Sequence, residues 1–127
     1  MAPELRAALL FAALLVSAPA CAQHTEVRML VQNSPLAGFQ YYQGRQLWDD
    51  IRVGDMLTLV REPDNPHDSN AIRVDWKGHK LGYVPRRENH TVALHMDRGG
   101  TVEARVSRLA LDRNPWQRIA FEVYVRL

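Results

Sequence analysis

From residue 27 onward, apolar and polar positions alternate with a period of two in short runs set off by turn residues, the pattern of strands that each bury one face. Val27-Arg28-Met29-Leu30-Val31 is a β-rich run, broken at Asn33-Ser34-Pro35 and resumed as Gly38-Phe39-Gln40-Tyr41-Tyr42; it reads as one kinked strand or two short ones. Leu47, Trp48 and Ile51 fall at helical spacing, so residues 46–51 predict a short helical turn. Residues 56–61 predict a strand with Met56, Thr58 and Val60 on one face and Leu57 and Leu59 on the other. Residues 71–76, with Ile72 and Val74 on one face, and residues 80–84 follow it as a meander through the turn Lys77-Gly78. Pro85 suits the first position of a helix, where its fixed φ is correct and its missing N–H costs nothing. A helix is therefore expected over residues 86–97, with Val92, Ala93 and Met96 inward and Gly99-Gly100 as its stop. Residues 102–109 and 119–127 are the last strands, joined through Asp112-Arg113-Asn114-Pro115.

Five or six short strands, with one helix between the third and the fourth, predict a mainly β fold: a small, partly open β-barrel of the oligonucleotide-binding type with one or two short helices. The helices are too few for a doubly wound sheet. No repeat, low-complexity tract or second domain is evident, so residues 23–127 are expected to form a single domain.

Residues 1–22 change the picture at the front of the chain. Arg6 precedes an uninterrupted apolar run over residues 7–16, and small residues lead to Ala20-Cys21-Ala22, which together predict an export signal cleaved before Gln23. The run is too short for a permanent membrane span. The expected mature chain is periplasmic or secreted; the alternative is a lipoprotein anchored through Cys21, although Leu is missing from the head of such a site. Cys21 is the only cysteine, so no disulfide can form within the chain. The net charge of +2 is carried mostly by arginine, the better phosphate partner because its planar fork donates two hydrogen bonds at once.

Several chemistries lack their motifs. No Gly-x-x-x-x-Gly-Lys or Gly-x-Gly-x-x-Gly is present, which removes the nucleotide-cofactor and ATPase classes. His24, His67, His79, His90 and His95 include no His-x-x-x-His pair, so no metal site is expected. Ser69 and Ser107 could be combined with His67 and Asp68 on paper, but the latter two are adjacent and no Gly-x-Ser-x-Gly elbow occurs, so no catalytic residue and no enzymatic activity are expected.

Binding chemistry is better represented. Asn65-Pro66-His67-Asp68-Ser69-Asn70 is in part an ordinary connection, with Asn and Asp bonding nearby amides and proline fixing φ. It is longer than two strands need, and it carries a carboxylate and an imidazole at its apex, where binding residues on rigid scaffolds gather. Tyr41 and Tyr42, on a strand, would point to opposite faces, one ring in the core and one exposed. An exposed ring near Arg86 and Arg87, at the start of the expected helix, suits stacking of an unpaired base with phosphate contact.

The segments Gly38-Phe39-Gln40-Tyr41-Tyr42-Gln43-Gly44, Gly54-Asp55, residues 59–74 with their Arg61-Glu62-Pro63-Asp64-Asn65-Pro66-His67-Asp68-Ser69-Asn70-Ala71 core, and Lys80-Leu81-Gly82-Tyr83-Val84-Pro85-Arg86 resemble the HIRAN domain. The resemblance runs from about residue 31 to 109 and implies an oligonucleotide-binding type of barrel that grips the 3′ end of single-stranded DNA. It implies that Tyr41 stacks on the terminal base with Tyr42 assisting, that Asp68 accepts a hydrogen bond from the free 3′-hydroxyl, and that Asn65 and Arg86 contact the backbone. His67 stands where the best-known member has tyrosine, Gln40 where it has arginine, Arg86 where it has lysine, and Tyr83 where the family varies between histidine and aromatics. These departures imply a weaker grip in the same mode. Export makes a second reading available: an envelope module that holds a peptide, a protein or another ligand in the same groove or on an open barrel edge.

Overall fold

The alternation along the last strand survives most plainly in three dimensions. Ile119, Phe121, Val123 and Val125 are buried while the residues between them are half-exposed along β6 (Ile119–Arg126). The computed structural model describes residues 26–127 and the isolated Ala13; the expected export signal, Cys21 and His24 lie outside the described residues. β1 (Arg28–Pro35) is followed by a 3-10 turn (Phe39–Tyr41), α1 (Gly44–Leu47) and a second 3-10 turn (Trp48–Asp50). Then come β2 (Met56–Arg61), β3 (Ile72–Trp76), β4 (His79–Tyr83), α2 (Asn89–Asp97), β5 (Val102–Leu109), a third 3-10 turn (Pro115–Gln117) and β6. Among the described residues no helix is long and apolar enough to cross a membrane.

The six strands form one antiparallel sheet in the order β1-β6-β5-β2-β3-β4. The fold is thus mainly β, partly open and OB-like, as the turn spacing predicts. Its core runs through Leu57, Ile72, Val74, Leu81, Val106, Phe121 and Val123, closed at one side by Val92 and Ala93 of α2 and at another by Phe39 and Ile51. Trp76, buried at the end of β3, places its indole N–H 3.0 Å from the Asp55 carboxylate, so this large ring is buried without leaving its donor unsatisfied.

Four local expectations are corrected. β1 does not break at Asn33-Ser34-Pro35: Ser34 pairs with Phe121 and Pro35 with Ala120, and the irregularity is a bulge between Leu30 and Gln32. β1 is an edge strand, where proline is tolerated. Residues 39–41 form a 3-10 turn and not a strand, because Gly38 turns the chain at φ 80° and the Tyr41 N–H donates to the Gly38 carbonyl at 3.0 Å. The short helical region covers residues 44–50 instead of 46–51. The longer helix follows the fourth strand, after β2, β3 and β4 have completed their meander, and it starts at Asn89 and not at residue 86. Residues 85–88 make a turn closed by the Glu88 N–H on the Pro85 carbonyl, and the Glu88 side chain, which does not cap the helix, accepts from the Ser34 hydroxyl at 2.6 Å.

The two outer strands of the sheet approach each other at one point. Ala37, just past the end of β1, pairs with Tyr83 at the end of β4: each N–H donates to the other's carbonyl at 2.9 Å. A Cβ on Gly82 would stand 2.2 Å from the Ala37 carbonyl oxygen and 3.1 Å from the Leu36 side chain, so only glycine admits this approach. Gly82→Ala is expected to cost about 1–3 kcal/mol of stability in urea denaturation, the range for forcing a methyl into packed surroundings. Stability equal to that of the parent chain would show that the bridge is not required.

Candidate functional site

The segment from Ala37 to Tyr42, the 62–71 loop, the end of β4 and the turn after it converge on one cavity of about 350 Å³. Its walls are Tyr42, Asn65, His67, Asp68, Tyr83 and Arg86, completed by Ala37, Ala71, Val84 and Trp116. Six of the seven binding residues expected from sequence therefore share one space. Tyr41 does not line it: at the end of the 3-10 turn it is 76% exposed outside the cavity, while Tyr42, the extended residue that follows, turns inward.

The loop owes its shape to its own polar side chains. Asn65 Oδ1 accepts from the His67 N–H at 2.9 Å and from the Asp68 N–H at 3.3 Å, an Asx-type turn that substitutes for absent backbone pairing. Asp68 Oδ1 accepts from the Asn70 N–H at 2.9 Å, and Asp68 Oδ2 from the amide of buried Asn89 at 2.7 Å. Both carboxylate oxygens are thus fixed in direction, and each keeps a further lone pair. Arg61 ties the outer side of the loop down by donating to the carbonyls of Ala71 (2.8 Å) and Ser69 (3.0 Å) while pairing with Asp97 of α2 at 2.9 Å.

Beneath the rings lies a second network centred on Glu62. Tyr83 donates to Glu62 Oε1 at 2.7 Å, Asn65 to the same oxygen at 3.1 Å and Arg73 to Oε2 at 3.2 Å, while Lys80 Nζ donates to the Tyr83 hydroxyl at 2.8 Å. The Lys80 ammonium sits 4.1 Å from the centre of the Tyr42 ring and 4.6 Å from that of Tyr83, and these two rings meet edge to face at 5.9 Å. Burial pushes the Glu62 carboxyl up, but the hydrogen bonds from Tyr83 and Asn65 and the charges of Lys80 and Arg73 outweigh it and hold the group below its ordinary value. Burial likewise moves the Tyr83 phenol up from its usual range, a shift reinforced by its bond to Glu62 and opposed by Lys80. A carboxylate, an ammonium and two phenols therefore set the position of the inner wall.

The sequence reading missed Trp116, 45% exposed on the third 3-10 turn, whose start is capped by the Asn114 side chain accepting the Trp116 N–H at 3.1 Å. Its signal was present: an aromatic residue after Asn-Pro in a polar loop has no core to enter. It also missed Asn89 and Glu62, which act through Asp68 and Asn65. Among the described residues no three His, Cys, Asp or Glu side chains gather as a metal site would need.

The HIRAN domain family model matches residues 29–127. Over 63 residues, 49% of the chain, the sequence is 36% identical to the helicase-like transcription factor of Mus musculus and 36% identical to a putative SWI/SNF-related matrix-associated actin-dependent regulator of chromatin subfamily A member 3-like 1 of Arabidopsis thaliana. The chain spans only 6% and 7% of the length of these relatives. Among solved structures it is similar to a protein from Lactobacillus plantarum (TM-score 0.69, 27% identity, covering 80% of this chain and 97% of that one). It also shares the fold of the HIRAN domain of human HLTF (TM-score 0.63, 23% identity, 80% and 78% covered).

The depressed Glu62 has a consequence for stability. The contribution of a carboxyl whose folded value lies below its unfolded one is fully present above the unfolded value, 4.5 here, and is lost as pH falls through the folded value. The urea midpoint should therefore decline as pH is lowered below 4.5, and Glu62→Gln should make that decline shallower. An unchanged acid limb in the variant would separate Glu62 from the acid sensitivity.

Proposed function

This chain belongs to the HIRAN domain family, and from that premise we propose that it is a nucleic-acid-binding module whose cavity takes the 3′-hydroxyl end of a DNA single strand. Similarity to HIRAN domains supports nucleic-acid binding. The finer reading is carried by the state of Asp68. Held on one oxygen by the Asn70 N–H and on the other by Asn89, it is a pre-oriented acceptor on the wall of a cavity large enough for one nucleotide. A free hydroxyl can donate to it; a 3′-phosphate would bring an anion against an anion.

In this reading Tyr42, His67 and Trp116 offer faces to the terminal base and its neighbour, which gives affinity without reading sequence. Arg86 engages in no ion pair among the described residues, and its guanidinium is available for the phosphate that enters the cavity. Asn65 shapes the loop through its own hydrogen bonds, and Tyr83 is the fixed inner wall. Tyr41, outside the cavity, is assigned to bases further along the strand.

A short 3′-hydroxyl strand should bind with a log–log salt slope of about −1.4 to −2.1, as two or three neutralised phosphates dictate. In fluorescence anisotropy, replacing the 3′-hydroxyl with phosphate should weaken binding about tenfold or more, the value of one hydrogen bond to a charged group, and Asp68→Ala should erase that preference. Trp116→Ala should cost about 1–3 kcal/mol for either end group. Binding indifferent to the end group would remove this reading.

A further inference from the structure

A second cavity, of about 430 Å³, lies across the two 3-10 turns from the first, walled by Arg45, Arg113 and Arg118 and floored by Phe39 and Trp48. The turns Phe39–Tyr41 and Pro115–Gln117 pack against each other and stand between the two spaces. Ala37, Tyr42 and Trp116 face the first cavity, while Phe39, Arg113 and Arg118 face the second. Each turn also displays one exposed ring, Tyr41 and Trp116.

The arginines of this cavity differ from those that hold the fold together. Arg28, Arg61, Arg73 and Arg126 are all ion-paired, whereas Arg45, Arg113 and Arg118 enter no ion pair among the described residues. Asp49 and Asp112 line the same space but neutralise none of them. Asp112 instead accepts from the Asn114 N–H at 2.9 Å through its carboxylate and from Arg118 Nε at 2.8 Å through its carbonyl. Arg118 is oriented by that bond and by lying 5.3 Å from the centre of the Phe39 ring, which leaves its remaining donors for a ligand. The floor is a Phe39–Trp48 edge-to-face pair at 5.7 Å, apolar enough to strengthen an arginine–anion contact above it.

A strand held by its end in the first cavity can leave over one of two rims. One, around Ser69, Asn70, Asn89 and His90, carries no arginine but Arg86. The other passes Trp116, Arg86 and Arg87 and then the loop bearing Arg113 and Arg118. We propose that the strand takes the second route and that the Arg45–Arg113–Arg118 cavity binds a phosphodiester group upstream of the terminal nucleotide, with Tyr41 and Trp116 stacking bases between the two spaces. This inference rests on the terminal-nucleotide reading, and it makes the domain a reader of an end plus a length of strand.

The test compares a 3′-hydroxyl dinucleotide with a strand of about 12 nucleotides, within the length one such barrel covers, against Arg45→Gln/Arg113→Gln/Arg118→Gln. A second variant leaves Arg118, the one that packs on Phe39, untouched. The triple variant should bind the long strand more weakly, with a log–log salt slope shallower by about 0.7, the value of one lost phosphate contact. The double variant should show part of that change. Dinucleotide binding and its end-group preference should stay as in the parent. Equal losses for both lengths, or an unchanged slope for the long strand, would overturn the upstream site. If the parent ignores the end group while the length-dependent loss persists, the terminal-nucleotide reading fails and the arginine site stands.

Discussion

The exchange of two 2.9 Å hydrogen bonds between Ala37 and Tyr83 is the contact on which the rest of the molecule depends. It links the segment after β1 to β4, the two outermost strands of a sheet that otherwise stays open. By doing so it brings the Tyr42 ring, from the front of the chain, against Tyr83 and Lys80, and sets both beside the 62–71 loop. Gly82 permits it, since any larger residue would meet the Ala37 carbonyl. One close backbone approach thus does the work of a barrel seam and of a site wall.

The polar chemistry of the cavity is built on that frame in two layers. The outer one is the loop itself, in which Asn65 and Asp68 use their side chains to bond backbone amides, while Asn89 and Arg61 anchor it to α2 and β2. The inner one is Glu62 with its partners, where charge attraction and hydrogen bonds overcome the cost of partial burial and keep the carboxyl ionised to lower pH than usual. Because Asn65 belongs to both layers, the shape of the loop and the position of the tyrosine wall are coupled. Rigid preorganisation of this kind reduces the ordering cost of binding any ligand in the cavity.

Much of this was legible from residue order. β2 and β5 have the bounds that their alternation predicts, and β3 and β4 fall within a residue of theirs, because apolar positions with a period of two leave only one way to face a core. The loop was legible too, since Asn, Asp and Pro act over two or three residues. What failed was long-range or depended on a single backbone angle. Tyr41 has a strand-forming side chain, yet Gly38 at φ 80° opens a 3-10 turn that ends at Tyr41, with Tyr42 extended after it; one ring still faces inward and the other outward, as expected. The late start of α2 follows from Glu88 bonding Ser34, distant in sequence, in place of capping its own helix. Trp116 escaped notice because exposure of a lone aromatic in a polar loop acquires meaning only when the opposite wall is known.

The most direct test of the terminal-nucleotide account is a ¹⁵N–¹H NMR titration of the chain with a 3′-hydroxyl dinucleotide and with its 3′-phosphate counterpart. The account predicts saturable shifts of the amides of residues 65–70 and of Tyr83, together with the Trp116 indole, for the hydroxyl strand, and much weaker ones for the phosphate. Equal responses to both strands, or shifts confined to residues away from this cavity, would contradict it.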